Sequence, residues 1–417
     1  MTIMTIKYTN MDRKTTRQNT KFRRQQKSCK AYEIKVDKSK LSKKSLHHLN
    51  QLFIEAKWFY NYCLSHDNII DSNTKAKSVH VKVQGEFEER KFSVLKAAMK
   101  QQLKKRLFNS MSSLKSKKSQ GYKIGRLKFK SKLNSIPLNN QNFHIDLNSS
   151  RIRIVGMKSW IKVRGLNQIA DNSEIANATL IKKADDFFIN VTTYEDKEKK
   201  DVPDQSIGID FGCETQLSFS DGTKVEFQVP TSKRIKKLDR KISRRGKSSN
   251  SKNKQKDKRK REKAYRKLNN KKKDIRNKVV SAVKNNFSHV CFQDENIHAW
   301  HSGNHGKKIQ HSGIGGIIFD LKHKPETPLQ VNRFFPSTQL CPSCGRKNKH
   351  SLSERIYQCE CGYSKDRDIH AAVNIELEGL KHIPVGHREL TLTENTTAAF
   401  FDTLNQIDGV KVSKSVH

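Results

Sequence analysis

Four cysteines in one short stretch constrain the fold of this chain more than any other feature. Cys341 and Cys344 form a Cys-x2-Cys-Gly pair, and Cys359 and Cys361 form a Cys-x-Cys-Gly pair. Four thiolates suit tetrahedral zinc, and the glycine after each pair lets the backbone turn tightly. Because four sulfur ligands leave no open coordination position, we expect a structural zinc site rather than a catalytic one.

The net charge narrows the class of partner. Lys and Arg total 84 against 41 Asp and Glu, a formal charge of +43. A compact protein with this imbalance repels itself unless a polyanion neutralises it, which favours nucleic acid over a merely solvated basic surface. No apolar run approaches the ~18 residues that span a bilayer. We therefore expect a cytoplasmic protein with no membrane partner.

The order of helices and strands predicts several domains. Residues 1–28 are basic without apolar periodicity and are expected to be disordered. A strand, two helical stretches and a run of short alternating strands then predict a small β-barrel interrupted by helices. A hairpin starts at Ser206, and two strongly basic helices are expected within 233–284. After Glu378 the periodicity is lost, which predicts a loose tail.

Three acidic positions stand in contexts that suit a metal site. Asp210 lies inside an apolar strand, where a lone charge is costly unless a cation or hydrogen bonds compensate it. Glu295 is expected to close a second strand, and Asp368 opens a helix. If the strands are adjacent, these carboxylates can converge on two Mg²⁺ ions for phosphodiester hydrolysis. The simpler alternatives are a turn residue at Asp210 and a helix cap at Asp368.

Histidines near residue 300 are a weaker candidate for a metal site. Their segment is rich in glycine, and their spacing fits no tight ligand set, so solvated or phosphate-contacting side chains are favoured. The four residues are His298, His301, His305 and His311.

These motifs, in this order, resemble the TnpB family of transposon-encoded RNA-guided DNA nucleases, which is related to the compact type V CRISPR effectors. The resemblance covers most of the chain. The residues that carry it are Ser206 to Gly222, Gln293-Asp294-Glu295-Asn296-Ile297, Arg333-Phe334-Phe335-Pro336-Ser337 before the first thiol pair, and Cys359-Glu360-Cys361-Gly362-Tyr363 before Asp366-Arg367-Asp368 and Ala371-Ala372.

The resemblance implies an α/β multidomain protein. Its parts would be an RNase H-like RuvC nuclease domain with an inserted zinc ribbon, and an N-terminal wedge β-barrel with a helical recognition insert. The expected ranges are a disordered N-terminus at 1–28, the wedge barrel at 29–205 with its insert at about 39–118, the first RuvC-like part at 206–335 with a basic helical hairpin at 233–284, the zinc ribbon at 336–364, the last RuvC-like part at 365–380 and a flexible tail at 381–417.

The function implied is RNA-guided cleavage of DNA. The protein would bind a transposon-end RNA, called omega RNA, and cut guide-matched double-stranded DNA beside a short transposon-adjacent motif. Base pairing would supply the sequence specificity. The resemblance further implies two Mg²⁺ ions, a structural Zn²⁺ and a prokaryotic cytoplasm, with association with the nucleoid when DNA is bound. The oligomeric state is left open.

The resemblance also assigns the catalytic residues. The first catalytic Asp of the family matches Asp210, and the third matches Asp368. Many relatives place the middle glutamate where this chain has Gln293, so the ligand here would be Glu295. Positions two apart on a strand share a face, and Asp294 is expected to point away.

Two other functions stay open at this point. A nuclease-inactive RNA-guided DNA-binding repressor could use the same scaffold, and Gln293 keeps this alternative open. A DNA transposase that cuts and rejoins DNA itself is the second, because RNase H folds serve such enzymes too. Filled positions at Asp210, Glu295 and Asp368 favour the nuclease.

Overall fold

The chain forms two compact units. The computed structural model describes residues 13–66, 68–83, 85–197, 202–246, 251–351, 353–383 and 394–415. One unit is Met1–Glu198 and the other is Lys199–His417. No helix in the described ranges is long and apolar enough to cross a membrane.

In its described residues, the first unit combines three α-helices with nine strands. Its sheet has seven antiparallel strands in the order β4-β8-β9-β1-β7-β6-β5, and β2 pairs with β3 separately. The elements are α1 (Arg13–Gln25), β1 (Ser28–Val36), α2 (Lys43–Ser65), β2 (Ser78–Val83), β3 (Glu86–Lys91), α3 (Ala97–Ser119), β4 (Ser135–Asn139), β5 (Phe143–Asp146), β6 (Arg151–Ile154), β7 (Ile161–Arg164), β8 (Glu174–Lys183) and β9 (Asp186–Glu195).

Helix α2 shows how the sequence builds the core of this unit. Ser42 caps the helix by accepting a hydrogen bond from the backbone N–H of Ser45. Apolar residues then recur every three or four positions, so one face of the helix is buried against the sheet. The buried apolar members of this face are Leu49, Leu52, Phe53, Ala56, Phe59, Tyr60 and Cys63.

The predicted disorder of the N-terminus is wrong for the residues that form α1. This helix runs from Arg13 to Gln25, and β1 begins at Ser28. Arg24 donates to the Glu174 carboxylate at 2.8 Å and lies over the ring of Tyr194 at 4.7 Å. Polar contacts, rather than an apolar face, attach this helix to the sheet. Apolar periodicity in the sequence therefore could not predict it. Residues 1–12 lie outside the described residues.

The described part of the second unit contains a mixed sheet of six strands. The elements are β10 (Ser206–Phe211), β11 (Leu217–Phe219), β12 (Thr223–Phe227), α4 (Lys233–Arg244), α5 (Lys252–Asn286), β13 (His289–Gln293), α6 (Ile297–Ser302), α7 (Gly306–Ser312), α8 (Ile314–Leu321), β14 (Thr327–Val331), β15 (Ile356–Gln358), β16 (Ser364–Asp366), α9 (Arg367–Leu380), α10 (Glu394–Asn405) and β17 (Val410–Lys414).

Strand order places the second unit's helices on two faces of its sheet. The order is β14-β13-β10-β11-β12-β17, with β10, β13 and β14 parallel and β10, β11 and β12 antiparallel. Ile207 and Ile209 of β10 face a core that contains residues of α5, α8 and α10. Because side chains alternate along a strand, Gly208 and Asp210 face the other side, where α9 packs.

The predicted flexible tail is wrong for residues 394–415. Helix α10 buries Phe400 and Leu404 completely, and the Phe400 ring packs edge-on against Phe219 and Phe287. Strand β17 then pairs with all of β12 in an antiparallel register. The partners of this segment lie far away in the sequence, so no local pattern predicted them. Residues 384–393 and 416–417 lie outside the described residues.

Candidate functional site

Asp210 lies on the face of the sheet that α9 covers. A Cβ at Gly208 would be 2.0 Å from the carbonyl oxygen of Ala372, so only glycine lets the helix approach this closely. Asp368 lies one turn before Ala372 on the same helix face. Gly208 and Asp210 likewise share a face of β10. The close contact at Gly208 therefore sets Asp368 near Asp210.

The first turn of α9 assigns different roles to its two acids. Asp366 is the N-cap, and its carboxylate accepts hydrogen bonds from the backbone N–H groups of Asp368 (3.1 Å) and Ile369 (3.3 Å). The capping alternative therefore applies to Asp366 and not to Asp368. The Asp368 side chain is 30% exposed and is not consumed by the cap.

A row of polar side chains crosses the sheet from Asp210. Asp210 lies directly opposite Ser218 on β11, and Ser218 lies opposite Lys224 on β12. Lys224 reaches the carboxylate of Asp366 at 2.7 Å and that of Asp368 at 4.0 Å. Sequence reasoning did not single out Lys224. The alternation of Lys224 with the buried Val225 was the available signal.

Burial and like charge raise the pKa of Asp210 well above its usual range. Desolvation is the larger cause, and the charges of Asp368 and Glu295 add to it. Arg367 and the backbone N–H of Phe211 act in the opposite direction without reversing the shift. The three predicted carboxylates therefore interact electrostatically.

Glu295 lies beyond the end of β13 and not, as expected, on the strand. Strand β13 ends at Gln293, so Glu295 follows the strand and precedes the α6 cap, Asn296. The argument that Gln293 and Glu295 share a strand face is therefore wrong. Burial, followed by the charge of Asp294, raises the pKa of Glu295 to about 7, and Arg333 opposes this shift.

The neighbours of Glu295 are held in structural contacts. Asp294 pairs with Lys322 at 3.0 Å and with Arg333, and these partners lower the pKa of Asp294. The Gln293 amide donates to the carbonyl oxygens of Asn332 (3.0 Å) and Phe335 (2.9 Å). Among the described residues, Glu295 is therefore the acid of this segment that makes no ion pair and no side-chain hydrogen bond.

The four cysteines form a compact cluster, as the sequence predicts. Their sulfur atoms all lie within 4.8 Å of one another, with 3.6 Å between Cys341 and Cys361 and 3.5 Å between Cys344 and Cys359. Sulfur ligands about 2.3 Å from a tetrahedral zinc lie roughly 3.8 Å apart, so the donor set fits zinc. Gly345 and Gly362 have φ values of +74° and +89°, the left-handed conformation that favours glycine.

The thiol cluster packs against α9 through aromatic rings. Tyr357 is fully buried between the thiol pairs and stacks on His370 with ring centroids 3.7 Å apart. Burial lowers the pKa of His370 to about 4, with smaller contributions from His350 and Lys365. His370 thus serves as a neutral packing residue that joins the cluster to the helix bearing Asp368.

In the described part of the chain, the cysteines are the one group of three or more His, Cys, Asp or Glu side chains close enough to hold a metal ion. The carboxylates of Asp210, Glu295 and Asp368 do not form such a set. The histidines near residue 300 do not either. Most of the glycine-rich segment that carries them is helical in α6 and α7.

The basic segment forms the two expected helices. Helix α4 buries Ile235, Leu238 and Ile242 on one face, and its other positions are mainly Lys and Arg. Helix α5 begins at Lys252 and extends over 35 residues. A cationic surface of this length suits a phosphate backbone.

Comparisons with known proteins agree on the family. The model "Cas12f1-like, TNB domain" matches residues 325–375, and the model "Probable transposase" (OrfB_IS605) matches residues 188–298. A Streptomyces pristinaespiralis protein named "Putative RNA-guided DNA endonuclease" is 24% identical over 53% of this chain and 57% of its own length. The "TnpB-like protein L79" of Acanthamoeba polyphaga mimivirus is 32% identical over 38% of this chain and 33% of its own.

One solved structure among those similar to this chain is titled "Cryo-EM structure of the Cas12f1-sgRNA-target DNA complex". It is 14% identical, covers 88% of this chain and 87% of its own, and gives a TM-score of 0.40. The chain covers less than two thirds of the length of the curated relatives above. The two matching models and the named relatives cover the motifs around Asp210 and the thiol cluster, and they support the resemblance of this chain to the TnpB family.

Proposed function

We propose that the chain is an RNA-guided DNA endonuclease, with Asp210, Glu295 and Asp368 as its catalytic carboxylates. The environment of Asp210 carries this proposal. Its carboxyl group is desolvated beside the charges of Asp368 and Glu295, and its pKa is raised accordingly. Such a group is costly to keep ionised unless a cation compensates it, and carboxylate oxygens are the ligands that Mg²⁺ prefers.

The three carboxylates would hold the metal, and neighbouring side chains would position them. When bound, two Mg²⁺ ions would stabilise the attacking and leaving oxygens of a phosphodiester. Asp366 fixes the start of α9, and thereby the backbone position of Asp368. Lys224, at 2.7 Å from Asp366 and 4.0 Å from Asp368, offsets part of their charge and favours approach of an anionic phosphate.

The topology of the second unit supports a RuvC-like identity for residues 206–335 and 365–380. Strands β10, β11 and β12 form an antiparallel meander, and β13 and β14 then add in parallel on the other side of β10. This is the order expected of an RNase H-like sheet. The thiol cluster supports a zinc ribbon at 336–364. We assign the sheet of the first unit to the wedge barrel, with α2 and α3 in its helical insert.

Charge supports omega RNA and double-stranded DNA as partners. The formal charge of +43 and the cationic faces of α4 and α5 suit phosphate contacts, which position nucleic acid without reading its sequence. The name of the Streptomyces pristinaespiralis relative, which mentions RNA and DNA, supports the same classes of partner. Cleavage would then take its specificity from guide pairing.

The test is to purify the protein with its native locus, sequence the RNA that accompanies it, and measure Mg²⁺-dependent cleavage of matching DNA. We expect Glu295→Ala to abolish cleavage while target binding is retained. Asp294→Ala is the matched control, because it removes an adjacent carboxylate that is already held in ion pairs. Wild-type cleavage rates in Glu295→Ala would overturn the assignment of that residue.

A nuclease-inactive RNA-guided binder is the second candidate. One observation favours it: the three carboxylates are not gathered into a set close enough for one metal ion within the described residues. Tight, RNA-dependent binding of target DNA without cutting would select this function. Strand transfer in the absence of RNA would select a transposase instead.

A further inference from the structure

A cavity in the 199–417 unit is lined by none of the catalytic carboxylates or thiols described above. Its volume is about 630 Å³, within the ~300–1,000 Å³ of pockets that hold small ligands. Its walls are the start of α4, the middle of α5, the segment 228–232 after β12 and the turn at Asp408-Gly409 before β17. The segment once expected to be a loose tail thus contributes one wall.

The rim of this cavity is cationic. The basic lining residues are Arg234, Lys260, Lys263, Lys267 and Lys271. The four lysines recur three or four positions apart on α5, so they form one stripe roughly 16 Å long. Among the described residues, Arg234, Lys260, Lys267 and Lys271 have no ion pair and no side-chain hydrogen bond. These side chains are therefore available to bind an anionic ligand.

Acidic side chains do not neutralise this rim. Asp274 and Asp408 are the acids of the lining. Asp274 already pairs with Lys278 at 2.9 Å, at the edge of the cavity. Five cations against two carboxylates leave the cavity with a positive balance, which attracts an anionic ligand.

The interior of the cavity is apolar. Val229, Pro230, Ala264, Leu268 and Ile275 line it, and Leu268 and Ile275 are only 9% and 5% exposed. An apolar floor beneath a cationic rim suits a ligand with a flat apolar body and an anionic group. A nucleotide has this construction, whereas inorganic phosphate would leave the floor without a partner.

We propose that this cavity binds one unpaired nucleotide of a bound nucleic-acid strand. The base would lie on the aliphatic floor, and the lysine stripe of α5 would contact the phosphates on either side. The inference rests on the proposal that the chain binds nucleic acid, and adds to it a defined pocket on an otherwise diffuse basic surface. RNA and DNA strands share the chemistry that the cavity recognises.

The test uses the full chain, freed of nucleic acid at high salt, and fluorescent 12-nucleotide single strands of RNA and of DNA. We expect Lys267→Gln/Lys271→Gln to weaken anisotropy-measured binding about fivefold or more, and to lower the salt dependence. The matched control is Lys256→Gln/Lys273→Gln. It removes the same charge from exposed lysines of α5 outside the lining and should weaken binding less than about twofold.

A second variant separates the pocket from charge alone. Ala264→Met fills the floor without changing charge, and methionine is a good helix former. We expect it to weaken binding of a strand with bases but to leave binding of an abasic strand unchanged. Thermal unfolding of the variant identifies a folding defect, in which case the lysine pairs provide the test.

The outcomes separate this inference from the proposed function. Equal losses in the two lysine pairs, or equal effects of Ala264→Met on strands with and without bases, would overturn the pocket. If the wild-type chain binds neither RNA nor DNA, the proposed function fails as well. A loss confined to the RNA probe or to the DNA probe would support the pocket and identify which strand fills it.

Discussion

Two carboxylates, one in each unit, show how differently the fold treats the same chemical group. Glu55 on α2 is fully buried, yet its pKa lies below the usual range. Burial alone would raise it, but N–H groups of Ser93, Val94 and Leu95 and the Ser93 hydroxyl all donate to it. Asp210 is half-buried, and desolvation together with the charges of Asp368 and Glu295 raises its pKa.

The contrast separates a structural acid from a functional one. The hydrogen bonds to Glu55 stabilise its ionised form within the fold, so this carboxylate needs no ligand to compensate its charge. Asp210 has two acids beside it and few donors, which is unfavourable for the isolated chain. Perturbed acids of this kind cluster at functional sites because a ligand supplies the missing compensation.

The largest expected effect is the loss of cleavage in Asp210→Asn. If Asp210 is a metal ligand, removing its charge should lower the cleavage rate by about 10³-fold or more. Because the substitution also relieves repulsion from Asp368 and Glu295, the free energy of unfolding should not fall. Single-turnover cleavage and urea unfolding measure the two quantities.

Asp402→Asn is the control for this prediction, since Asp402 is exposed on α10. If Asp210→Asn destabilises the chain substantially and cleavage is retained, Asp210 is a structural acid like Glu55. The proposed difference between the two acids would then be wrong.

The sequence predicted the residues of the site better than their surroundings. Spacing alone placed the four thiols together, and the apolar context of Asp210 marked a costly charge. The boundary of β13 was missed by about two residues, which moved Glu295 off the strand. Lys224 was missed because its role depends on pairing between β11 and β12 and on the approach of α9.

Long-range contacts account for the larger errors in the fold. Helix α1 has no apolar face and is joined to the sheet through Arg24 and Glu174. Strand β17 is short and basic, and only its pairing with β12 makes it a strand. In both cases the stabilising partner lies more than a hundred residues away, so periodicity within the segment carried no signal.

The second prediction concerns Glu55→Gln, which should destabilise the chain by about 2–3 kcal/mol. Glutamine keeps one acceptor oxygen but loses the charge that several donors stabilise. Urea unfolding compared with Glu262→Gln, an exposed acid on α5, measures the difference.

The same variant gives a pH dependence with a defined sign. The pKa of Glu55 is lowered in the folded state, so its contribution to stability is complete above the unfolded value of about 4.3. It is lost as the pH falls through the lower folded pKa. The stability difference between wild type and Glu55→Gln should therefore shrink in acid, and a constant difference from pH 7 to pH 3 would contradict the prediction.

The third prediction tests what positions Asp368 beside Asp210. Gly208→Ala should cost about 1–3 kcal/mol and reduce cleavage, since the new Cβ would meet the Ala372 carbonyl oxygen and displace α9. Gly125→Ala is the matched control, because no atom lies within 4 Å of a Cβ built there. Normal cleavage by Gly208→Ala would mean that Asp368 does not depend on the close approach of α9.

The smallest expected effect is that of Asp294→Asn. Asp294 and Glu295 are adjacent, yet ion pairs with Arg333 and Lys322 lower the pKa of the first, and burial raises that of the second to about 7. Partly exposed ion pairs contribute about 0–1 kcal/mol, so Asp294→Asn should change stability little and cleavage less than about fivefold. Glu295→Gln should abolish cleavage. A reversed pattern in the same assay would move the middle catalytic carboxylate to Asp294. Structural and functional acids would still differ, but the functional acid would then be Asp294, which is held in ion pairs. A raised pKa could then no longer be used to identify the remaining metal ligands.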